Sequence, residues 1–241
     1  DPVYVDDDFS GSIGDPIADA DGGTPVSPAN FGVDAFSNLA AALAAVPTTG
    51  TIIVNDGDYS TEDITLADSV TLQLTDTTGP VQIGSLGASA TNSIDLQSNT
   101  LEVGATAVVG PGIDAVISGT GGVTKVGAGL LVFRGVNTYT GTTTVNGGLF
   151  RVGQVSGVLQ GELAGDGPVV VTDPGRLELN TAVDETISQT GAISGTGSVG
   201  VLGDGTVIFD NPGANTFSGG FELGDGASSF FNGESGSKQG F

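Results

Sequence analysis

The sequence contains a long internal repeat whose glycine and apolar positions match. The segment ISGTGGVTKVGAGLLVF begins at Ile117 and ISGTGSVGVLGDGTVIF begins at Ile193, an offset of 193 − 117 = 76 residues. A chain that repeats one structural unit buries its apolar faces by stacking neighbouring units. Inward positions must be apolar in every coil, and corners need Gly or Asn for positive φ. The repeat therefore predicts a solenoid. At roughly 20–25 residues per coil the period spans about three coils, which places Phe133 and Phe209 one above the other.

Short runs of β-branched and aliphatic residues follow Gly50, separated by Gly, Asn and Asp. Such runs predict strands of a few residues, in a parallel solenoid or in an antiparallel sandwich. The repeat favours the first alternative and predicts an all-β, right-handed parallel β-helix over residues 48–241, with repeat copies at about 117–148 and 193–223. Before it, 3- and 4-residue apolar spacing over residues 33–46 predicts a short N-terminal capping helix (33–47), begun by Asn30 or Asp34 and ended by Pro47. Residues 1–32 are expected to form an irregular acidic arm.

The composition excludes several classes of function. Lys plus Arg is 5 and Asp plus Glu is 28, so the formal charge is 5 − 28 = −23, and Cys and His are absent. The charge repels nucleic acid, and no apolar run approaches the roughly 18 residues of a membrane span. Without His and Cys, imidazole and thiolate metal sites, Cys nucleophiles and His-based triads are impossible. The start at Asp1 leads us to expect a removed signal segment or an excised fragment, and an exported protein.

The first repeat copy, GTGGVTKVGAGLLVFRGVNTYTGTTTVNGG, resembles the autotransporter-associated β-strand repeat, G-x-G-x-L-x-K-x-G-x-G-x-L-x-L followed by N-x-Y-x-G-x-T-x-V-x-x-G. The matching residues are Gly119, Gly121, Val123, Lys125, Gly127, Gly129, Leu131, Phe133, Asn137, Tyr139, Gly141, Thr143, Val145 and Gly148. The second copy has Val201 in place of the lysine and fades after Gly219. The opening VYVDDDF, followed by a short helix and then by GTIIVNDGDY, is similar to the capped start of pectin-lyase-like β-helices. The resemblance implies a passenger domain or surface protein, extracellular or at a bacterial cell surface.

The few cations argue against catalysis. A polysaccharide lyase needs a cation or metal and a strong base, and the chain offers Lys125, Arg134, Arg151, Arg176 and Lys238. Lys125 aligns with Val201, Arg134 aligns with Asp210, and Arg176 is expected to pair with Asp173 or Glu178. We therefore expect no enzyme but a structural or adhesive module. The alternative is a carbohydrate-binding or polysaccharide-degrading β-helix. Three GDG triplets, at Asp166, Asp204 and Asp225, indicate tight corners rather than calcium loops.

The densest acidic cluster is N-terminal and could hold Ca²⁺ through some of Asp6, Asp7, Asp8, Asp19 and Asp21. Two or three converging carboxylates with backbone carbonyls suffice for this hard cation. The alternative is a solvated acidic arm. No other cofactor is expected.

The C-terminal coil has no evident cap. A β-helix end presents unpaired N–H and C=O groups, and Phe230, Phe231 and Phe241 have no obvious coil to fill. We therefore expect further coils there, or self-association in which a second subunit donates Val3–Val5 as a strand and filaments form. Cell-surface glycans are further candidate partners.

Overall fold

The computed structural model describes residues 2–16, 30–55, 57–75, 79–104, 112–153, 163, 167–211 and 215–232. These ranges hold four sheets in which every pair of neighbouring strands is parallel. The first sheet consists of β2 (Ala35–Phe36), β1 (Val3–Val5), β3 (Thr51–Val54), β5 (Thr71–Leu74), β7 (Ser93–Asp95) and β9 (Val116–Ser118). The second consists of β4 (Gly57–Thr65), β6 (Val81–Gly87), β8 (Leu101–Val103), β10 (Val123–Lys125), β12 (Thr143–Val145), β14 (Val169–Val171), β17 (Ile193–Gly195) and β20 (Thr216–Phe217).

The third sheet consists of β11 (Leu130–Phe133), β13 (Leu149–Gly153), β15 (Arg176–Thr181), β18 (Ser198–Gly203) and β21 (Phe221–Leu223). The fourth consists of β16 (Thr186–Gln189), β19 (Thr206–Asp210) and β22 (Ser228–Asn232). From β3 to β10 the chain alternates between the first and second sheets, and from β10 to β15 it alternates between the second and third. From β16 onward each coil follows the order fourth, second and third sheet. The result is a β-solenoid of about seven turns, which confirms the predicted parallel β-helix.

Alternation along each strand creates the core. In β10, Val123 and Lys125 face inward while Thr124 lies between them on the outer face. One continuous cluster of buried apolar side chains runs from Val3 to Phe209. Neighbouring coils also stack rings, since Phe133 and Phe150 meet edge to face with centroids 4.7 Å apart. Parallel strands buried from coil to coil therefore supply the core that a chain without disulfides needs.

The capping helix is shorter than predicted. It is α1 (Leu39–Ala45), and its N-cap is Asn38, whose Oδ1 accepts a hydrogen bond from Ala41 N at 2.8 Å. The proposed caps Asn30 and Asp34 are wrong because β2 pairs with β1 just before the helix and keeps the chain extended. The Glu62 carboxylate accepts from Leu39 N and Ala40 N, at 3.1 and 2.9 Å. A strand residue that periodicity cannot reveal thus satisfies the first helical N–H groups. The helix packs on β1, β2 and β4.

The prediction of an irregular arm over residues 1–32 is wrong at its beginning. Val3 and Val5 are buried, and β1 lies between β2 and β3 in the first sheet. Both edges of β1 are therefore occupied within the same chain, so this strand is not free for donation to a second subunit. Residues 17–29 lie outside the described ranges.

The two repeat copies are not stacked as predicted. Ile117, Val123 and Phe133 lie on the first, second and third sheets. Their counterparts Ile193, Val199 and Phe209 lie on the second, third and fourth sheets. The offset of 76 residues therefore equals three coils plus one face, and Phe133 does not lie below Phe209.

The repeat preserves local backbone although it changes face. Gly119 and Gly195 both have φ of +110°, at the corners that follow Ile117 and Ile193. A Cβ at Gly119 would lie 2.7 Å from Gln97 N, and one at Gly195 would lie 2.2 Å from Val171 O. Both corners thus require a left-handed backbone and close contact with the preceding coil, and only glycine meets both requirements.

Phe230 and Phe231 belong to a strand that pairs with the preceding coil, whereas the sequence had shown no coil for them. In β22, Phe230 pairs with Ile208 and Phe231 pairs with Phe209 in β19. Phe230 is nevertheless 58% exposed. Residues 233–241, including Phe241, lie outside the described ranges, and so does the predicted uncapped end.

Candidate functional site

The candidate cations of the described chain all have structural partners. Lys125 is 1% exposed, although lysine is rarely buried without an acidic partner. Its Nζ donates to the backbone carbonyls of Val126, Gly127 and Gly147, at 2.9 Å for Gly127 and 3.4 Å for Gly147. The ammonium group therefore joins the corners of two successive coils. Burial lowers the pKa of Lys125 to about 8.

Arg134 belongs to a pair between neighbouring coils. Its Nε lies 2.6 Å from Asp114 Oδ1, and each side chain is about a quarter exposed. The guanidinium also covers Gly112, where a Cβ would lie 2.8 Å from Arg134 Nη2. Arg134 therefore fixes the corner ahead of β9.

The third sheet carries a network of four charged side chains on its outer face. Glu178 accepts from Arg151 Nη2 at 2.7 Å and from Arg176 Nε at 3.0 Å. Arg176 Nη2 also reaches Glu222 at 2.6 Å. It passes over Gly200, where a Cβ would lie 2.6 Å from Arg176 Nη2. Desolvation by burial acts to lower the pKa of Arg176, but the hydrogen bonds to Glu178 and Glu222 and their negative charges together outweigh it and raise the pKa.

Of the two expected partners of Arg176, Glu178 is confirmed. The second described partner is Glu222, one coil beyond Gly200, and not Asp173. A contact across a coil is invisible to local sequence spacing.

The acidic residues proposed for Ca²⁺ are only partly described. Asp6 is fully buried, with Oδ2 2.8 Å from Asn55 Nδ2 and Oδ1 accepting from Asp8 N at 3.2 Å. Asp7 Oδ2 accepts from Asp58 N at 3.1 Å. Asp19 and Asp21 lie outside the described ranges. Among the described residues, no three acidic side chains converge in a way that could hold a metal. The calcium site stays a prediction.

Two of the GDG triplets lie at equivalent corners. Asp204 lies between β18 and β19, and Asp225 lies one coil later between β21 and β22. Gly203 and Gly226 have φ of +87° and +85°. The positive φ fits the interpretation of these triplets as tight corners. Asp166 lies outside the described ranges.

A shallow cavity of about 360 Å³ lies where the chain turns from the first sheet onto the second. Gly79 and Pro80, before β6, form one wall. The rest is polar: Ser98, Asn99 and Thr100 before β8, with Glu102 and Thr124 on the outer face of the second sheet. Burial, and secondarily the charge of Asp58, raises the pKa of Glu102. Sequence reasoning missed this cavity, because its residues become neighbours only when the coils stack.

These features define a parallel β-solenoid whose described cations stabilise the coils. Segments 123–152 and 201–227 match the family described as passenger-associated-transport-repeat. The resemblance found in the sequence is confirmed, and the solenoid is consistent with an autotransporter passenger β-helix. No curated protein and no solved structure matches the chain. Within the described ranges, no helix is long and apolar enough to cross a membrane.

Proposed function

We propose that this chain is a stiff structural module of an exported passenger domain. It acts as a spacer that extends the passenger outward and presents its outer faces at the bacterial cell surface. The observation that carries the proposal is that the described cationic side chains are all engaged in contacts that hold the coils together. Lys125, Arg134, Arg151 and Arg176 each contact a neighbouring coil or corner. No catalytic role is proposed for them.

The geometry suits extension. The second sheet stacks eight strands, and at about 4.8 Å per strand this sheet alone extends about 34 Å. Every added coil lengthens the module without changing its width. The repeat itself suggests secretion or surface exposure.

Adhesion and end-to-end assembly are the finer parts of the proposal. Exposed Leu223 and Phe230 lie in the last described strands, where a further coil or a second copy would cover them. Such a heterologous contact generates filaments.

Size-exclusion chromatography with light scattering, followed by electron microscopy, tests assembly. A concentration-dependent increase in mass that Phe230→Ser reduces would support self-association, whereas a monomer at all concentrations would contradict it. Protease treatment of intact cells tests surface display of the full-length protein. Turnover of pectin, alginate or a neutral glycan that Arg134→Ala or Arg176→Ala abolishes would overturn the structural role.

A further inference from the structure

A row of polar side chains runs along the outer face of the second sheet. Gln82 pairs in register with Glu102, Glu102 with Thr124, and Thr124 with Thr144. Each lies between inward-facing residues of its strand. Since neighbouring strands are about 4.8 Å apart, the row presents one polar group per coil along the solenoid axis.

The cavity at Ser98–Thr100 opens beside this row and shares Glu102 and Thr124 with it. Its wall includes Asn99, which is 5% exposed and whose Oδ1 has no hydrogen-bond partner among the described residues. A buried amide oxygen without a donor is uncommon in proteins. The amide nitrogen is already engaged, since Asn99 Nδ2 donates to Leu96 O at 3.3 Å, so the oxygen is the group of this side chain that still lacks a donor.

The surroundings restrict what can bind. Strands β6, β8, β10 and β12 have neighbours on both sides, so a peptide strand cannot be added there. None of the described residues that line the cavity is a cation, and Glu102, nearby Asp58 and the net charge of −23 repel anions. Carboxylate, amide and hydroxyl groups remain, and together they accept from and donate to ligand hydroxyls.

We propose that Gln82, Glu102, Thr124 and Thr144, with the cavity at Asn99, form a binding groove for an uncharged saccharide chain lying along the solenoid axis. The Glu102 carboxylate accepts from sugar hydroxyls, and Thr124 both donates and accepts. None of the described residues that line the cavity carries an aromatic ring, so affinity comes from hydrogen bonds and is weak for one module. The groove adds to the proposed function and does not depend on it.

The test titrates the chain with uncharged linear oligosaccharides of glucose, mannose and galactose, followed by NMR chemical-shift changes. We expect at least one of them to bind, and Glu102→Ala or Thr124→Val to weaken binding about tenfold. Glu102→Gln should weaken it less, because the amide still hydrogen-bonds. Thr216→Val is the matched control, since Thr216 continues the outer row beside Ser194 far from the cavity and should not change binding.

Three outcomes would overturn the proposal. These are no binding of any uncharged chain at saturating concentration, binding that Glu102→Ala and Thr124→Val leave unchanged, and preferential binding of oligogalacturonate. Melting temperatures of the variants show whether a loss reflects unfolding. A protein that fails this test and is still displayed at the surface would leave the structural role intact.

Discussion

Asn137 accepts, through its side-chain Oδ1, a hydrogen bond from the backbone N–H of Ile117 in the preceding coil, at 3.0 Å. The second repeat copy forms the same bond, from Ile193 N to Asn215 Oδ1 at 2.8 Å. The first bond is donated by β9 of the first sheet and the second by β17 of the second sheet. The repeat motif thus encodes a contact between successive coils and is independent of the face on which it lies.

We expect Asn137→Ala to lower the free energy of unfolding by about 1–3 kcal/mol, because the buried Ile117 N–H loses an acceptor. Asn137→Leu removes the acceptor and keeps a side chain of similar size, so it should also destabilise the fold. Urea denaturation measures both. A Leu variant as stable as the unchanged chain would show that packing, and not this bond, explains the effect.

Two corner glycines allow the energetic cost of a left-handed backbone to be measured separately from the cost of a steric clash with the preceding coil. Gly195→Ala combines a φ of +110° with a Cβ 2.2 Å from Val171 O, whereas Gly220 has φ of +104° and no atom within 4 Å of an added Cβ. Gly220→Ala should therefore cost about 1–2 kcal/mol for left-handed backbone alone, and Gly195→Ala should cost clearly more. Thermal and urea unfolding compare the two. Similar losses would contradict a close-contact role for Gly195.

Two buried hydroxyl groups of the first repeat copy are hydrogen-bonded to each other, and phenylalanine residues occupy both positions in the second copy. Tyr139 Oη and Thr143 Oγ1 are 2.6 Å apart, and the corresponding Phe217 and Phe221 have ring centroids 6.2 Å apart. In a double-mutant cycle of Tyr139→Phe and Thr143→Val, we expect each single change to destabilise and the coupling energy to be about 1 kcal/mol. Additive changes would show that the hydroxyls act independently.

Stability should rise with pH in a window set by Lys125. Its pKa is about 8 in the folded chain and 10.5 for an ordinary lysine. Between these values the unfolded chain binds more protons, so the free energy of unfolding rises with pH. From pH 7 to pH 10 the gain should be about 2 kcal/mol. Lys125→Met should lack this gain, and subtracting its urea-derived profile removes the contribution of all other groups. Parallel profiles would contradict the lowered pKa.

Calcium remains a prediction for the N-terminal acidic residues. We expect a higher melting temperature in millimolar Ca²⁺ than in chelator, because a bound cation relieves the repulsion of a chain at −23. Sodium chloride at equal ionic strength is the control for screening. If chelator leaves the melting temperature unchanged, the solvated arm is the better interpretation.

The sequence alone determined the fold class, because the pattern that specifies a solenoid is repeated in every coil. Apolar alternation, as at Leu177 and Leu179, and Gly at fixed corner positions are local requirements that each strand and turn must meet by itself. The match between Ile117 and Ile193 therefore sufficed to predict a solenoid, and Pro47 marked the end of the helix region. The same local signals placed the helix start too early, since they contain nothing about β2 pairing with β1.

Only the tertiary structure decided what depends on stacking. The helix donors Leu39 N and Ala40 N find Glu62 across the fold, Arg176 finds Glu222 one coil away, and Glu102 meets Thr124 on the next strand. The number of residues between such partners depends on the length of each coil, and that length changes with the length of the corners. The position of the second repeat copy, one face further round, has the same origin. A coil's residue count sets which side chains become neighbours, and the physical requirements of a strand or a corner do not fix that count.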